Sequence, residues 1–586
     1  MPSRSAISRV LRIPVFLACA GSLAFAGDAI TFRTRCLQDL TGAVPGILES
    51  QNKDNGRFGT GLWIVTDQNV MLPLAVAWSY KDPANPYHNK REVLEAVMGA
   101  GDALIADADE KGMWEFRKKD GSTWGKIFMP WTYSRWIRSY MLIRGGMPPE
   151  RREKWERALL LGFTGIAAQI ARGRTYNNIY AHHAMALYYA GQAFDKPEWR
   201  ELAAQCLHNV IRGQNPAGYW AENVGPVVGY SHVYLDALAL YYSKSQDRAA
   251  LESLEKAIRF HQYFTYPDGS NVETVDDRNP YHATRGSVPN VAFTLTPEGR
   301  TYFARRLKQS SRPINADLAA TLLIDGQEGP GLDRDPVDTD FDFVLGKQEA
   351  AVRRRGPWFI VLSAYTAPPA TDGSRRWWMD RQNLISVYHD KVGLVFGGGN
   401  SKLQPYWSTF TIGDTSGFHF MPAVNGKEPD FMPPAGLRHV PTAAKLVLGK
   451  KDCGLELDYG GQRVAVRLKI KGPNRLEYTW SAVDVSEKPL VAHATIYPRY
   501  GQKITSASGN SEEVSDTAFR WQPGAAGAWI EHAGFRVRIP RDAVVHGPET
   551  PWNPYARDGR PGAHSGLIVV DLPIRKSRQI RLEVNP

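Results

Sequence analysis

A glycine-rich loop that leads into an apolar helix carries the side chains best suited to chemistry in this chain. The segment spans residues 218–234 and reads GYWAENVGPVVGYSHVY. Its loop contains Glu222, and Tyr230, His232 and Tyr234 follow where the apolar helix is predicted to begin. Phenols and imidazoles can accept and deliver protons when a site positions them. The segment therefore predicts a proton-transfer site at the start of a helix.

A second polar cluster, NNIYAHH, lies upstream of this segment and contains Asn178, His182 and His183. Asn178 and His182 are four residues apart, so on a helix they share one face, whereas His183 points about 100° away. An amide that donates hydrogen bonds beside an imidazole can hold a carboxylate. A structural alternative stays open, in which Asn178 caps the helix and His182 is a hydrogen-bonded core residue. We favour Asn178 and His182 as a functional pair.

Two tyrosines of the first segment compete for the proton-transfer role. Tyr230 and Tyr234 are four residues apart and share a helix face, with His232 turned aside. Such a stripe is also typical of a helix core. Tyr230 lies nearer the predicted helix entrance, where side chains reach a cleft, so we favour it as the catalytic residue. Tyr234 is then a candidate substrate contact, together with Trp220 and Glu222 of the loop.

A third cluster, DDRNPYHATRG at residues 276–286, contains His282 and Arg285. Arginine offers a planar fork of donors that suits carboxylates and sulfates, so both residues are candidate substrate contacts. The alternative is a loop held by its own aspartate–arginine pairs. Asp276 and Asp277 lack the further spaced oxygens that calcium needs, and no histidine cluster has the ligand spacing of a zinc motif. We predict neither a metal site nor a cofactor.

An aromatic and basic group near another predicted helix start contains Trp131 and Arg135. The apolar face of a pyranose ring packs well on an aromatic plane. Trp131 and Arg135 are therefore candidates for a sugar subsite. At least two aromatic residues of this group are expected to lie in the core instead.

The elements that must position these residues are helices in the first half of the chain. Apolar residues recur there at three- and four-residue spacings, and Pro149 and Pro197 stand where proline suits a helix start. Successive antiparallel helix pairs of this length predict a ring of hairpins around a cleft. The predicted helices are 91–109, 133–144, 149–171, 180–194, 197–212, 228–243 and 248–264.

The second half of the chain changes to short, β-branched apolar runs separated by Gly, Pro, Asn and Asp, which is typical of an all-β domain. Helices first and strands after argue against an alternating α/β fold. The predicted fold class is α+β and multidomain: an (α/α) toroid over 27–330 and a large antiparallel β-sandwich over 331–586. The predicted strands are 358–365, 384–388, 392–396, 464–470, 476–480, 492–497 and 568–572.

The first 26 residues have the pattern of a signal peptide. Arg4, Arg9 and Arg12 precede an apolar run, and Ala24-Phe25-Ala26 resembles a cleavage site. We expect an exported protein, either periplasmic or secreted, with lipidation of Cys19 as the alternative. No later apolar run is long enough for a predicted membrane span.

The charge of the chain favours anionic partners. Removing residues 1–26 takes away three arginines and no acidic residue, which lowers the net charge from +11 to +8. A basic exported protein suits an acidic polysaccharide or oligosaccharide, whereas the absence of a dense Lys/Arg block argues against nucleic acid. Cys36, Cys206 and Cys453 are widely spaced and odd in number, which argues against a disulfide framework.

The motif from Gly218 to Glu222, followed by Gly225-Pro226 and Tyr230, resembles the loop-to-helix segment of heparinase II/III-like polysaccharide lyases in the chondroitin AC/alginate lyase superfamily. Asn178 with His182 is similar to their upstream Asn–His element, and residues 382–394 are similar to a segment of their β half. This chain has Asn223 after Glu222 where the family has glycine, and extra residues before Tyr230. The resemblance therefore indicates an outlying member.

The resemblance implies a helical toroid with a β-sandwich that cleaves uronate-containing chains by β-elimination. Asn178 and His182 would neutralise the uronate carboxylate, and Tyr230 would take the C5 proton or deliver one to the leaving oxygen. A free tyrosine has a pKa of about 10, so a basic Tyr230 needs nearby positive charge, such as Arg285 or a histidine. His389, in the β half, would be a second proton carrier.

Two other functions remain open from the residues alone. A glycoside hydrolase on a similar toroid needs two carboxylates about 5–10 Å apart, and the candidates are Glu222, Asp236, Asp268, Glu273 and Asp276. A carbohydrate-binding protein without catalysis would use the same aromatic and basic residues. The products formed from an acidic polysaccharide distinguish the three.

Overall fold

The structure is a computed structural model that describes most of the chain. The described residues are 29–59, 64–117, 123–173, 177–221, 225–277, 282, 288–366, 384–399, 404–416, 436–550 and 565–585. The predicted signal peptide with Cys19, and the candidate site residues Glu222 and Arg285, lie outside these ranges.

The amino-terminal half is helical. Proline at the first turn begins α5, α6, α8 and α11, because its fixed φ suits that position. A short hairpin, β2 (Trp114–Arg117) and β3 (Thr123–Ile127), precedes α5. The helices are α1 (Arg33–Glu49), α2 (Ile64–Asp67), α3 (Met71–Ser79), α4 (Arg91–Asp107), α5 (Pro130–Ile143), α6 (Pro149–Arg172), α7 (Asn178–Ala193), α8 (Pro197–Arg212), α9 (His232–Ser245), α10 (Arg248–Tyr263), α11 (Pro297–Gln309) and α12 (Ala316–Asp325).

The helices form two concentric rings. Helices α3, α5, α7 and α9, the 3₁₀ turn Val291–Thr294 and α12 each pack on the next, and α12 returns to α3. Helices α1, α4, α6, α8, α10 and α11 pack outside them. The inner surface is apolar and buried, with alanine-rich helices such as α3 and α7 in close contact. This is the toroid of helical hairpins that the sequence predicts.

The carboxy-terminal half consists of two large antiparallel sheets, and the two-stranded pair β1 (Ala29–Ile30) with β4 (Gly329–Pro330) stands apart from them. One sheet has the order β18-β21-β22-β15-β9-β8-β7-β6-β5, with β10 also paired to β15, and the other has the order β11-β12-β13-β14-β23-β20-β19-β16-β17. The strands are β5 (Phe341–Leu345), β6 (Ala350–Arg355), β7 (Trp358–Ser363), β8 (Ile385–His389), β9 (Gly393–Phe396), β10 (Phe410–Ile412), β11 (Ala443–Leu448), β12 (Asp452–Asp458), β13 (Arg463–Gly472), β14 (Arg475–Asp484), β15 (Leu490–Ile496), β16 (Lys503–Ser506), β17 (Ser511–Glu513), β18 (Phe519–Trp521), β19 (Trp529–His532), β20 (Phe535–Arg538), β21 (Val544–Glu549), β22 (Leu567–Pro573) and β23 (Ser577–Val584).

The two sheets share one apolar core, to which Trp358 and Phe396 of the first and Trp480 and Leu582 of the second contribute. A smaller apolar cluster joins the helical half to the first sheet. In it Val228 and Phe264 pack with Phe359 and Tyr388. Each buried side chain of this size stabilises the contact by roughly 1.5–3 kcal/mol. The cluster matters for the site because Val228 belongs to the glycine-rich segment.

The predicted fold class is confirmed: a helical half is followed by an antiparallel β half, and the predicted helices 149–171 and 197–212 agree closely with α6 and α8. The predicted helix 228–243 starts too early, because residues 228–231 form a turn and α9 begins at His232. Cys36, Cys206 and Cys453 are free and buried. In the described ranges, no helix is both long and apolar enough to cross a membrane.

Candidate active site

The start of α7 presents Asn178. The preceding residue, Asn177, is the N-cap, and its side-chain oxygen accepts hydrogen bonds from the backbone N–H groups of Ile179 and Tyr180. The capping role that the structural alternative gave to Asn178 therefore belongs to its neighbour. Asn178 is the first helical residue and is buried.

His182 joins α7 to α9. Its Nε2 atom lies 3.0 Å from the backbone oxygen of Val233, and since a carbonyl can only accept, Nε2 must carry the proton. Nδ1 is then an unprotonated acceptor, buried and without a hydrogen-bond partner among the described residues. Burial, helped by the nearby charge of Arg135, lowers the pKa of His182 to about 3. The ring is neutral at physiological pH.

Helices α7 and α9 run parallel with a constant register. His182 bonds to the carbonyl of Val233, and the hydroxyl of Tyr189 donates to the carbonyl of Leu240 at 3.2 Å. Both contacts join residues 51 apart in sequence, so the first turns of α7, which carry Asn178 and His182, lie beside the start of α9, which Tyr230 precedes by two residues. The structure therefore brings the two predicted elements together at the amino-terminal ends of neighbouring helices.

The turn that carries Tyr230 is held by two carboxylates from a distant loop. Asp276 Oδ2 accepts hydrogen bonds from the N–H groups of Val228 at 2.9 Å and Gly229 at 3.4 Å. Asp277 accepts from the N–H of Gly225 at 3.2 Å and donates its own N–H to the Pro226 oxygen. The side chains of Asp276 and Asp277 therefore accept hydrogen bonds from backbone N–H groups. This structural role explains the isolated acidic pair in the sequence. No sequence pattern marks this contact, because it spans about fifty residues of chain.

Trp131 and Arg135 lie on the same rim of the inner ring. The Trp131 ring lies 6.0 Å from the His182 ring. Trp131 and Arg135 line a cavity of about 850 Å³ together with Asn69. Arg135 is paired with both oxygens of Asp317, at 2.7 and 3.3 Å. Burial alone would lower the pKa of Arg135, but the Asp317 charge outweighs it and raises that pKa. Arg135 is thus already neutralised by the protein.

Trp220 and Tyr234 pack on each other instead of facing a cleft. Their rings are stacked at 5.0 Å with planes 7° apart, and each side chain is only 4% exposed. The indole N–H of Trp220 donates to the carbonyl of Val210. The stack leaves little of either ring for a ligand. Both residues therefore support the segment between them and are not substrate contacts in this structure.

His282 lies at the junction of the two halves. Its Nδ1 atom is 3.3 Å from Glu273 Oε2, and its ring meets the Tyr497 ring edge-on at 4.9 Å. Glu273 also accepts from the Ser386 hydroxyl at 2.9 Å and from the Gly398 N–H at 2.8 Å. Burial would raise the pKa of Glu273, but these hydrogen bonds, that from His282 first, lower it. The pair ties a helical-half loop to the first sheet.

His389 is fixed by backbone atoms of the β half. Its Nε2 donates to the carbonyl of Pro473 at 2.9 Å, and its Nδ1 accepts from the N–H of Lys391 at 3.2 Å. Its ring packs edge-on against Trp358 at 4.5 Å. Both ring nitrogens are occupied, so the structure does not place His389 among the groups gathered at the ends of α7 and α9.

The carboxylates considered for hydrolysis are used in different ways. Glu273 and Asp276 accept hydrogen bonds as described above, and Asp268 accepts from Ser270 on an exposed turn. Asp236 on α9 is the exception, since burial raises its pKa and Arg135 opposes that effect. Across the described ranges, no group of three or more His, Cys, Asp or Glu side chains is arranged to hold a metal ion.

No protein-family model matches the chain, and no curated protein matches it in sequence. Solved structures do match in fold. Xanthan lyase from Paenibacillus has a TM-score of 0.56 at 11% identity over 94% of this chain, which spans 57% of the xanthan lyase chain. Heparinase III has a TM-score of 0.52 at 12% identity, covering 95% of this chain and 93% of its own. The chondroitin AC lyase of Streptomyces coelicolor A3, solved with chondroitin sulphate, has a TM-score of 0.51 at 12% identity, covering 95% and 80%. The predicted likeness to heparinase-like lyases is confirmed for the fold, and the low identity confirms an outlying position.

Proposed function

On a chain with the fold of heparinase-like polysaccharide lyases, we propose an exported lyase that cleaves a uronate-containing acidic polysaccharide by β-elimination. The observation that carries the proposal is the common register of α7 and α9. Through that register the start of α7, which carries Asn178, lies beside the start of α9, which the turn with Tyr230 precedes. A helix start favours negative charge, because its N–H groups and its dipole point outward there. The adjacent amino-terminal ends of two helices suit a reaction in which negative charge develops next to a carboxylate.

The proposed chemistry begins at the uronate carboxyl group. The C5 proton is weakly acidic until that carboxylate is neutralised, and the Asn178 amide would donate the hydrogen bond that neutralises it. The developing enolate-like charge would then lie over the amino-terminal ends of α7 and α9. Fixed donors aimed at developing charge are among the largest contributions to enzymatic rate.

Tyr230 would move the protons. Its phenolate oxygen takes the proton from C5, the electron pair forms the C4–C5 double bond, and the bond from C4 to the bridging oxygen breaks. The same hydroxyl then returns a proton to the leaving oxygen, which completes the balance. The two hydrogen bonds from Val228 and Gly229 to Asp276 fix the turn that carries Tyr230.

His182 has a different place in this proposal from the donor role that the sequence suggests. Its Nε2 proton is committed to Val233 and its ring is neutral, so Nδ1 has no proton to give to a carboxylate. We propose that His182 is a positioning residue that keeps the start of α7, with Asn178, beside the start of α9. Trp131, which packs beside His182 and lines the adjoining cavity, would contact a sugar face.

The masses of the products test the proposal. Incubation with alginate, glucuronan, heparin and chondroitin sulfate, followed by mass spectrometry, is expected to give oligosaccharides one water lighter than hydrolysis products. Products that retain the mass of added water would favour the glycoside hydrolase alternative. Unchanged polymer with measurable binding would favour a carbohydrate-binding protein.

A further inference from the structure

A second groove opens on the other side of α7, away from the face that carries Asn178 and His182. It has a volume of about 800 Å³ and is lined by the segment before β2, the end of β3, the carboxy-terminal half of α6 and the first turns of α7. His183, on the first turns of α7, bonds to the carbonyl of Phe128 just before α5. The groove therefore lies at the same end of the inner ring as the proposed catalytic residues.

The floor of the groove is apolar. Phe128, Ile127 and Ile179 line it, and Leu161 at its rim is 46% exposed, one of the largest exposed apolar side chains of the described residues. The Phe128 ring reaches α6 because residue 165 is glycine. A Cβ atom there would lie 2.2 Å from the Phe128 Cζ atom. An apolar floor suits the apolar face of a pyranose ring.

The rim of the groove is cationic. Lys111, Lys126 and Arg172 line it, against one acidic side chain, Glu110. Lys126 is paired with Asp109 at 3.2 Å. Arg172 donates through Nε to the carbonyl of Ala168; neither it nor Lys111 forms an ion pair within the described part of the chain. Two charges at the mouth are therefore available to an anionic ligand.

A buried acceptor lies at the base of the groove. His183 Nε2 is 2.7 Å from the Phe128 carbonyl and must donate to it, so Nδ1 holds a lone pair. That atom is buried and has no partner among the described residues, although His183 lines the groove. A buried acceptor without a partner costs free energy unless a donor arrives. A sugar hydroxyl is a donor of suitable size.

We propose that this groove binds an acidic sugar unit of the polysaccharide, several units away from the bond that is cut. The apolar floor takes the ring face, His183 Nδ1 accepts a hydroxyl proton, and Lys111 with Arg172 holds a carboxylate or sulfate. The proposal rests on the proposed function for its choice of ligand. Its residues are distinct from Asn178 and Tyr230, so the two can fail separately.

Affinity electrophoresis through gels that contain alginate, glucuronan, heparin or chondroitin sulfate tests the groove without any need for catalysis. We expect at least one of these polymers to retard the wild-type protein, and the Lys111→Ala/Arg172→Ala double variant to bind it about tenfold more weakly, a change equivalent to about 1.4 kcal/mol. Arg157→Ala is the matched control, because Arg157 lies on α6, is exposed and, among the described residues, forms an ion pair with Glu153 alone. It removes one charge outside the groove and is expected to leave retardation nearly unchanged.

The outcomes separate the groove from the proposed lyase activity. Equal retardation of wild type and double variant, equal loss in Arg157→Ala, or no retardation by any acidic polymer overturns the groove proposal. Retardation that depends on Lys111 and Arg172, in a protein that forms no unsaturated product, supports the groove and removes the lyase. Cleavage by wild type with an unchanged KM in the double variant keeps the lyase and overturns the groove. Thermal melting of both variants verifies that each is folded.

Discussion

His182 Nε2 donates a hydrogen bond to the backbone oxygen of Val233 across 3.0 Å. This contact joins two parallel helices near their starts, and the second contact between them, from Tyr189 to Leu240, has the same sequence offset. The register that results sets the first turns of α7, with Asn178, beside the start of α9. The proposed site thus depends on the packing of two helices as much as on the residues that would touch a substrate.

Replacement of Tyr230 by phenylalanine removes the proposed proton carrier and keeps the ring. We expect kcat to fall about 100- to 10,000-fold, as for loss of a general acid or base, with little change in KM. Initial rates of unsaturated product formation measure this. Tyr242→Phe, near the carboxy-terminal end of α9, the helix that follows Tyr230, is the control and should keep its rate. Full activity in Tyr230→Phe would remove the residue from the mechanism.

Asn178→Ala removes the amide proposed to neutralise the uronate carboxylate. The expected loss of kcat is about 100- to 1,000-fold, the range for one donor aimed at developing charge. Asn177→Ser is the matched control, since serine also caps helices well. If both variants lose the same activity, disruption of the helix start explains the loss and the special role of Asn178 is wrong.

His182→Leu and His182→Gln separate positioning from proton transfer. Leucine cannot bond to Val233, and we expect a loss of roughly 0.5–1.5 kcal/mol in unfolding free energy together with a lower kcat. Glutamine keeps a donor and should recover part of both. Because the pKa of His182 is about 3, the pH–rate profile between pH 5 and 8 should keep its shape in His182→Gln. Loss of one limb of that profile would show that His182 carries a proton after all.

Asp276→Ala tests whether a distant carboxylate holds the Tyr230 turn. The variant leaves the N–H groups of Val228 and Gly229 without the acceptor that they share. A cost of roughly 1–3 kcal/mol in unfolding free energy is expected, with a lower kcat and a KM close to that of wild type. Asp268→Asn, on an exposed turn, is the comparison. A stable, fully active Asp276→Ala protein would contradict the positioning role.

Buried neutral histidines make stability depend on pH. Burial lowers the pKa of His182 to about 3, of His183 and His232 to about 4, and of His261 well below its ordinary value. A histidine in the unfolded chain has a pKa of about 6.5. Below that pH the unfolded chain binds protons that the native state does not bind, so the free energy of unfolding falls as the pH falls. Each histidine accounts for about 2 kcal/mol by pH 5.

One histidine acts in the opposite sense. Burial opposes the charged form of His546, but Asp571 and Glu549 raise its pKa to about 9, and its contribution is lost only as pH rises towards that value. Urea unfolding at pH 7, 6 and 5 measures the balance, and a fall in midpoint on acidification is expected. His261→Leu should flatten that fall, because neither ring nitrogen of His261 has a hydrogen-bond partner among the described residues. An unchanged slope would contradict this account.

The fold could be predicted further than the site. Apolar spacing and proline position marked α6 and α8 almost to the residue, because these signals are local. The predicted start of α9 is too early, because the N–H groups of Val228 and Gly229 donate to Asp276. Asp276 lies on a distant loop, and no local sequence pattern connects it to these residues. Stacking of Trp220 on Tyr234 and the fixed ring of His389 likewise follow from tertiary contacts.

The most direct test of the lyase proposal is ultraviolet absorbance during incubation with alginate, glucuronan, heparin and chondroitin sulfate. The C4–C5 double bond conjugated with the uronate carboxylate absorbs where the intact polymer does not. We expect a steady rise with at least one polymer for wild type and Tyr242→Phe, and almost none for Tyr230→Phe. No rise from folded wild-type protein on any of the four polymers, or an equal rise from Tyr230→Phe, would contradict the central claim.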